Sequence, residues 1–300
     1  MKLKPYLQLV RLPNLFTAAA DSLAGWLIVR GSLDHPAQWL PLVAISVGLY
    51  AFGIVLNDLA DYEVDLVERP SRPLPSGGVS KDLASKIMGG SLMLALVFGV
   101  TSGFAQTWRS LAVVLCLATA ILAYNTLFKR TQLAPIVMGS CRGLNLLLGL
   151  SADPSFGGPD CWLVAGSLAV FVAGVTWISR SEVGTGRRAG IALGVGVQAL
   201  GLAGLFAGLI RLADRADRSL HPGLGLLVLV AVACLVGRAD FRALRTPEPR
   251  ATQRAVKTGV LALVWLDVAA VAAAQGPVWA LVVASLWVPA FVLGRWLYST

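Results

Sequence analysis

The sequence predicts an all-α, polytopic membrane bundle, and three observations carry that expectation. Hydrophobic residues make up 56% of the 300 and charged residues only 14%. A soluble domain usually carries about 25% charged residues, so the excess apolar surface needs the bilayer as its solvent. Apolar runs of spanning length recur along the whole chain, and Lys and Arg concentrate in alternate loops between them.

Ten runs reach or approach the ~17–25 residues that cross a bilayer. They cover 14–31, 38–57, 85–105, 109–127, 133–151, 161–179, 189–211, 222–237, 255–274 and 277–298, the eighth being the shortest. With the N-terminus in the cytoplasm, 19 Lys and Arg fall on the cytoplasmic side and 5 on the other, while Arg142 lies inside a span. A missed span would scramble this alternation, so the charge count supports both the number and the orientation. The expectation is one membrane domain over residues 1–300 with no soluble domain. The basic segment Met1-Lys2-Leu3-Lys4 lacks an apolar core followed by a cleavage site and reads as an uncleaved entry to the first span. Three cytoplasmic loops stand out, near 58–84, 180–188 and 238–254.

Other function classes are excluded by distribution. The net charge of +9 is dispersed between apolar runs and forms no stripe or tail, which excludes a nucleic-acid-binding surface. Cys116, Cys141, Cys161 and Cys234 show no CxxC spacing and read as packing residues. With His35 and His221 as the only histidines, neither a Zn site nor a Ser–His–Asp arrangement is expected.

The chemistry-bearing segment is Val55-Leu56-Asn57-Asp58-Leu59-Ala60-Asp61-Tyr62-Glu63-Val64-Asp65. On a continuous helix, Asp61, Asp65 and Asp58 fall at about 40°, 80° and 100° from Asn57, so three carboxylates and an amide share one face. Like charges this close repel unless a cation joins them. An oxygen-only set of this kind suits Mg2+, which takes one or two carboxylates and completes its shell with water and substrate phosphates. Asp58, Asp61 and Asp65 are therefore the expected metal ligands. Downstream, Glu68-Arg69-Pro70-Ser71-Arg72-Pro73-Leu74-Pro75-Ser76-Gly77 forms a proline-stiffened loop. Arg69 and Arg72 there either grip diphosphate oxygens or serve as positive-inside anchors.

The joint pattern Asn57-Asp58-x-x-Asp61-x-x-x-Asp65 with Arg72-Pro73-Leu74-Pro75-Ser76-Gly77 resembles the first aspartate-rich motif of the UbiA-type intramembrane prenyltransferases. Tyr124-Asn125-x-x-x-Lys129-Arg130 resembles a second landmark of that family, whose basic residues lie near the diphosphate. The likeness covers about residues 10–275, and the tenth span is a departure from the family's nine. The resemblance implies an isoprenyl diphosphate substrate, Mg2+, catalytic roles for Asp58, Asp61, Lys129 and Arg130, and substrate contacts from Asn57, Arg69, Arg72, Tyr124 and Asn125.

The family's second aspartate-rich motif is altered here. Its position reads Ser179-Arg180-Ser181-Glu182-Val183-Gly184, which keeps one acid, Glu182, and the basic Arg180, and the resemblance implies substrate contacts from both. Span five holds Gly139-Ser140-Cys141-Arg142-Gly143-Leu144-Asn145. A charge inside a span is costly unless it faces a polar cavity or a partner. Arg142 either binds diphosphate or an acidic acceptor, with Asn145 beside it, or forms an ion pair with Asp21 or Asp267. Arg11-Leu12-Pro13-Asn14 resembles the family's entry to span one, with Asn14 lining the cavity. Ser-Cys-Arg-Gly-Leu-Asn together with Ser-Arg-Ser-Glu-Val is most similar to the EboC-type branch.

The implied activity is Mg2+-dependent transfer of an isoprenyl group to an acceptor that is aromatic or lipid-like in character. The alternative is a membrane protein that binds or moves an isoprenoid without chemistry, with the altered second motif as its mark.

Overall fold

The computed structural model describes residues 3–105, 108–181, 187–215 and 221–297. A short helix α1 (Lys4–Leu9) leads into α2 (Leu12–Arg30), α3 (Pro36–Ala60) and a short α4 (Tyr62–Glu68). There follow α5 (Lys81–Ala105), α6 (Trp108–Ala123) with a π-helical turn over Tyr124–Phe128, α7 (Ala134–Leu150) and α8 (Gly158–Arg180). The chain continues through α9 (Arg187–Arg215), α10 (His221–Arg245), α11 (Pro249–Gln275), α12 (Pro277–Ser285) and α13 (Trp287–Leu297). Among the described residues nine segments are helical, long and apolar enough to cross a membrane, and α7 is a shorter apolar helix of 17 residues. These correspond in order to the ten expected spans.

Two boundaries differ from expectation. The loop expected over 238–254 is mostly helix, because α10 runs on to Arg245 and α11 begins at Pro249, a residue that starts helices well. The last apolar run is two helices, α12 and α13, meeting at Leu286.

Burial sorts the helices. The α2 span is 72% buried and the α11 span 67% buried, whereas those of α5 and α6 are each 17% buried. Helices α2, α7, α8 and α11 thus form the centre. The outer helices turn Leu94, Val97, Leu115, Leu200, Leu227 and Leu235 outward, where lipid is the fitting solvent. Helices in a bilayer gain little from the hydrophobic effect and associate by close packing at small residues. Gly25 of α2 and Gly149 of α7 meet in this way: a Cβ on Gly149 would lie 2.6 Å from the Trp26 nitrogen and 2.9 Å from Gly25 Cα.

Candidate functional site

Helices α2, α3, α6, α7, α8 and α11, with the π-helical turn, line a cavity of about 520 Å3 that has a polar mouth, an apolar middle and a polar floor. Helix α3 supplies a full stripe of it, through Ser46, Leu49, Tyr50, Gly53, Ile54 and Asn57. At 1.5 Å per residue, Ser46 at the floor and Asn57 at the mouth are about 16 Å apart. Leu117, Ile121, Val172, Val175, Val260 and Leu263 line the space between.

The mouth is built on a helix break. Helix α3 ends at Ala60, Asp61 takes φ −91° and ψ 2°, and α4 restarts at Tyr62. The break corrects the expectation of three carboxylates along one uninterrupted helical face. Asp61 lines the cavity with Asn57, whose Nδ2 donates to Asp61 Oδ2 at 3.4 Å. Asp58 and Asp65 are buried beside the mouth, and each faces a guanidinium. Arg11 donates to Asp58 at 3.1 Å, and Arg72 lies 2.5 Å from Asp65 and 3.7 Å from Asp58. Among the described residues no three His, Cys, Asp or Glu side chains converge as a ready metal cluster.

The basic side of the mouth comes from three places. The loop after α4 presents Arg69 and Arg72, which both line the cavity. It is held down by Leu74 and Val79, which pack with Leu9, Val55 and Ala84. Lys81 adds a clasp, with its ammonium 3.4 Å from the Tyr62 ring centroid and 3.5 Å from Glu63. The π-helical turn brings Tyr124, Asn125 and Lys129 to the wall, its wide ring closed by the Lys129 amide donating to the Tyr124 carbonyl at 2.8 Å. Lys129 Nζ donates to Asp61 Oδ2. Arg130 faces a smaller neighbouring pocket of about 260 Å3 that it shares with Lys129, Asp61 and Asn125. The third source is Arg11, which sequence reasoning did not number among the site residues. Its backbone is left-handed, at φ 47°, and Pro13 follows in the first turn of α2. The local signal was a basic residue ahead of a proline-started helix, but only the fold shows that it crosses to α3.

The floor is a buried polar cluster. Arg142 Nε lies 2.6 Å from Asp21 Oδ2, and its Nη2 donates to the Thr17 carbonyl at 2.8 Å. Asn145 Nδ2 donates to the Ala18 carbonyl and to Asp21 Oδ2, both at 2.9 Å. Asp267 of α11 stands in contact behind Asp21. Of the two readings of Arg142, the ion pair with Asp21 is formed, and Arg142 and Asn145 also line the cavity.

Two expected residues lie elsewhere. Arg180 is outside the cavity lining and donates to the carbonyls of Lys129 and Thr131, fastening the end of the π-helical turn to α8. Asn14 is half-buried near the entry of α2, and its carbonyl accepts from the Thr17 hydroxyl. Glu182 lies outside the described residues.

The donor set at the mouth fits Mg2+: Asn57 and Asp61 line the cavity wall together, and the carboxylates of Asp58 and Asp65 are buried beside them. Mg2+ does not require a preformed three-carboxylate cluster, because waters and phosphate oxygens fill most of its shell.

Fold and site together define a polytopic α-helical membrane protein with an apolar chamber closed by a mixed acidic and basic mouth. The model of the UbiA prenyltransferase family matches residues 18–259, and the chain belongs to that family. It is 33% identical over 103 residues to digeranylgeranylglyceryl phosphate synthase of Sulfolobus acidocaldarius, a match covering 34% of this chain and 37% of that protein. Against the synthase of the same name from Methanopyrus kandleri it is 35% identical over 161 residues, covering 51% of this chain and 56% of that protein. The chain thus spans roughly a third to a little over half the length of the curated relatives it matches. Solved structures share the fold. One of digeranylgeranylglyceryl phosphate synthase in membranes has a TM-score of 0.58 at 21% identity, covering 92% of this chain and 99% of that one. A UbiA homologue from Archaeoglobus fulgidus bound to DMAPP and Mg2+ has a TM-score of 0.59 at 15% identity, covering 85% and 97%.

Proposed function

We propose that the chain is an intramembrane prenyltransferase that uses Mg2+ and an isoprenyl diphosphate, its mouth facing the cytoplasm. The observation that carries this reading is the pairing of Asp58, Asp61 and Asp65 with Arg11, Arg72 and Lys129 at the head of an apolar chamber. Such a mouth holds acids and bases in balance, each a group that a diphosphate or its metal would claim. The Lys and Arg asymmetry supports the cytoplasmic orientation. The neighbour bound to DMAPP and Mg2+ supports the donor and the metal.

In this reading Asn57 and Asp61, with Asp58 and Asp65 beside them, would hold Mg2+. When bound, the metal would supply charge neutralisation for the diphosphate. Arg11, Arg69, Arg72 and Lys129 donate to the diphosphate oxygens, and Arg130 stands beside them. The apolar wall of Leu49, Ile54, Leu117, Ile121 and Val172 takes the isoprenoid chain and excludes water. The bond from the allylic carbon to the diphosphate oxygen breaks with its electron pair leaving on pyrophosphate. The basic groups are already in place where that charge develops, so they need not reorganise as it forms. Tyr124 offers a ring face to the allylic cation. An acceptor oxygen or carbon then takes the cation and loses a proton. Arg180 positions the Lys129 turn through its two backbone contacts. The Ser140–Asn145 segment supports placement in the EboC-type branch, and the relatives' name supports a lipid-like acceptor.

The altered second motif favours a second reading, isoprenoid binding without chemistry. Product formation separates the two. Purified protein in lipid is incubated with Mg2+, an isoprenyl diphosphate labelled in the prenyl group, and a membrane extract as acceptor source. The transferase reading expects a labelled product that partitions into organic solvent and is neither the diphosphate nor its free alcohol. No such product at any chain length would remove it.

A further inference from the structure

We infer that the cavity floor formed by Arg142, Asn145 and Thr17 is the subsite for the acceptor's head and is built for an uncharged hydroxyl or carbonyl group, not for a phosphate. This inference rests on the prenyltransferase reading for the role of the ligand, but its geometry stands independently. Three observations carry it.

The first is the hydrogen-bond inventory. Arg142 is ion-paired with Asp21 through Nε and donates Nη2 to the Thr17 carbonyl, which leaves Nε and Nη1 without an aligned hydrogen bond among the described residues. Asn145 commits Nδ2 twice, and its Oδ1 is buried with no partner. Both residues are more than nine-tenths buried and both line the cavity. A spare donor beside a spare acceptor matches a hydroxyl, which both gives and receives a hydrogen bond. A phosphate offers mainly acceptors and would face the Asn145 oxygen unfavourably.

The second is charge. The guanidinium of Arg142 is already met by Asp21, and Asp267 adds a second carboxyl behind it. Two acids against one base leave the floor with no surplus positive charge to hold an anion. The cations suited to phosphate, Arg11, Arg69, Arg72 and Lys129, all line the upper part of the same cavity.

The third is distance. Ser46 and Asn57 bound a depth of about 16 Å along α3. A diphosphate at the mouth and a head group at the floor leave room between them for the allylic carbon and a small ring or glycerol unit. The acceptor would touch the floor with one oxygen and present its nucleophilic atom upward to the donor.

The experiment uses a matched pair of probes: a geranylgeranyl glycerol ether and the same ether carrying a terminal phosphate. Binding of each to the full-length protein in nanodiscs is measured without donor, with protein-free nanodiscs correcting for partition. The expected result is that the neutral ether binds at least tenfold tighter than its phosphate, and that Asn145→Leu reduces this preference to less than threefold. Equal or tighter binding of the phosphate ether overturns the inference, and so does a preference that survives Asn145→Leu. The wild-type ratio alone decides the matter if the variant does not fold. A separate titration with a non-ionising thiolo-diphosphate donor and Mg2+ reports on the mouth, so failure of the donor site is distinguished from failure of the floor.

Discussion

Lys129, at the end of the π-helical turn, donates to the Asp61 carboxylate across the mouth of the cavity. The contact ties the break between α3 and α4 to the end of α6, two elements far apart in sequence. It also sets a base and an acid where a metal and a diphosphate would each claim one of them. Asp61→Asn and Lys129→Met are each expected to lower pyrophosphate release at least ~100-fold, the usual scale for removing one preorganised charge-stabilising group. Steady-state release assays in lipid check this.

Arg72 bridges Asp65 and Asp58 and belongs to a loop pinned by Leu74 and Val79. Arg72→Lys keeps the charge but loses the planar guanidinium. The variant is expected to bind the diphosphate roughly tenfold more weakly, about 1.4 kcal/mol. Titration with a labelled isoprenyl diphosphate in the presence of Mg2+ reads it.

Asp21 is fully buried and paired with Arg142 and Asn145. Asp21→Ala leaves a buried guanidinium uncompensated and is expected to cost about 3–5 kcal/mol. Replacing both partners by Leu is expected to cost less than the single change. Thermal unfolding in detergent compares the two.

Gly149 packs on Gly25 with no room for a side chain. Gly149→Val is expected to destabilise by at least ~1–3 kcal/mol through overpacking against the α2 backbone. The same unfolding assay tests it, with Gly166→Ala as a control at a position where a Cβ meets nothing within 4 Å.

Asp153, in the turn between α7 and α8, accepts from the Ser155 hydroxyl and from the amides of Ser155 and Gly157. Chiefly through the Ser155 hydroxyl, these bonds hold its carboxyl below the usual carboxylate range. A lowered folded pKa contributes stability that is present at neutral pH and lost as pH falls below the ordinary carboxylate value and through the lowered folded one. Ser155→Ala is expected to raise the Asp153 pKa and shrink that acid-sensitive increment, and unfolding midpoints at pH 7 and about pH 2 for both proteins measure it.

The spans were legible because hydropathy and loop charge are local properties, readable without knowing which helix packs on which. That Asn57, Asp61, Arg72, Tyr124 and Lys129 would share one cavity was legible because their short segments resemble the family's motifs. What the sequence hid is tertiary. The turn at Asp61 split the aspartates between cavity and lip, which a continuous-helix projection does not anticipate. Arg11 reached the site through a left-handed backbone that one residue's identity does not announce. Arg180 stood in the right segment and turned to the backbone of a neighbouring helix instead. Arg142 had two readings open because its partners lie on other helices, and the fold realises the ion pair and the cavity contact together.

The most direct test of the central claim is pyrophosphate release from isoprenyl diphosphates of several lengths by the purified protein in lipid, with Mg2+ titrated. The account predicts Mg2+-dependent release that disappears in Asp58→Ala and Asp61→Ala. Saturable Mg2+-dependent binding with no release at any chain length would contradict it.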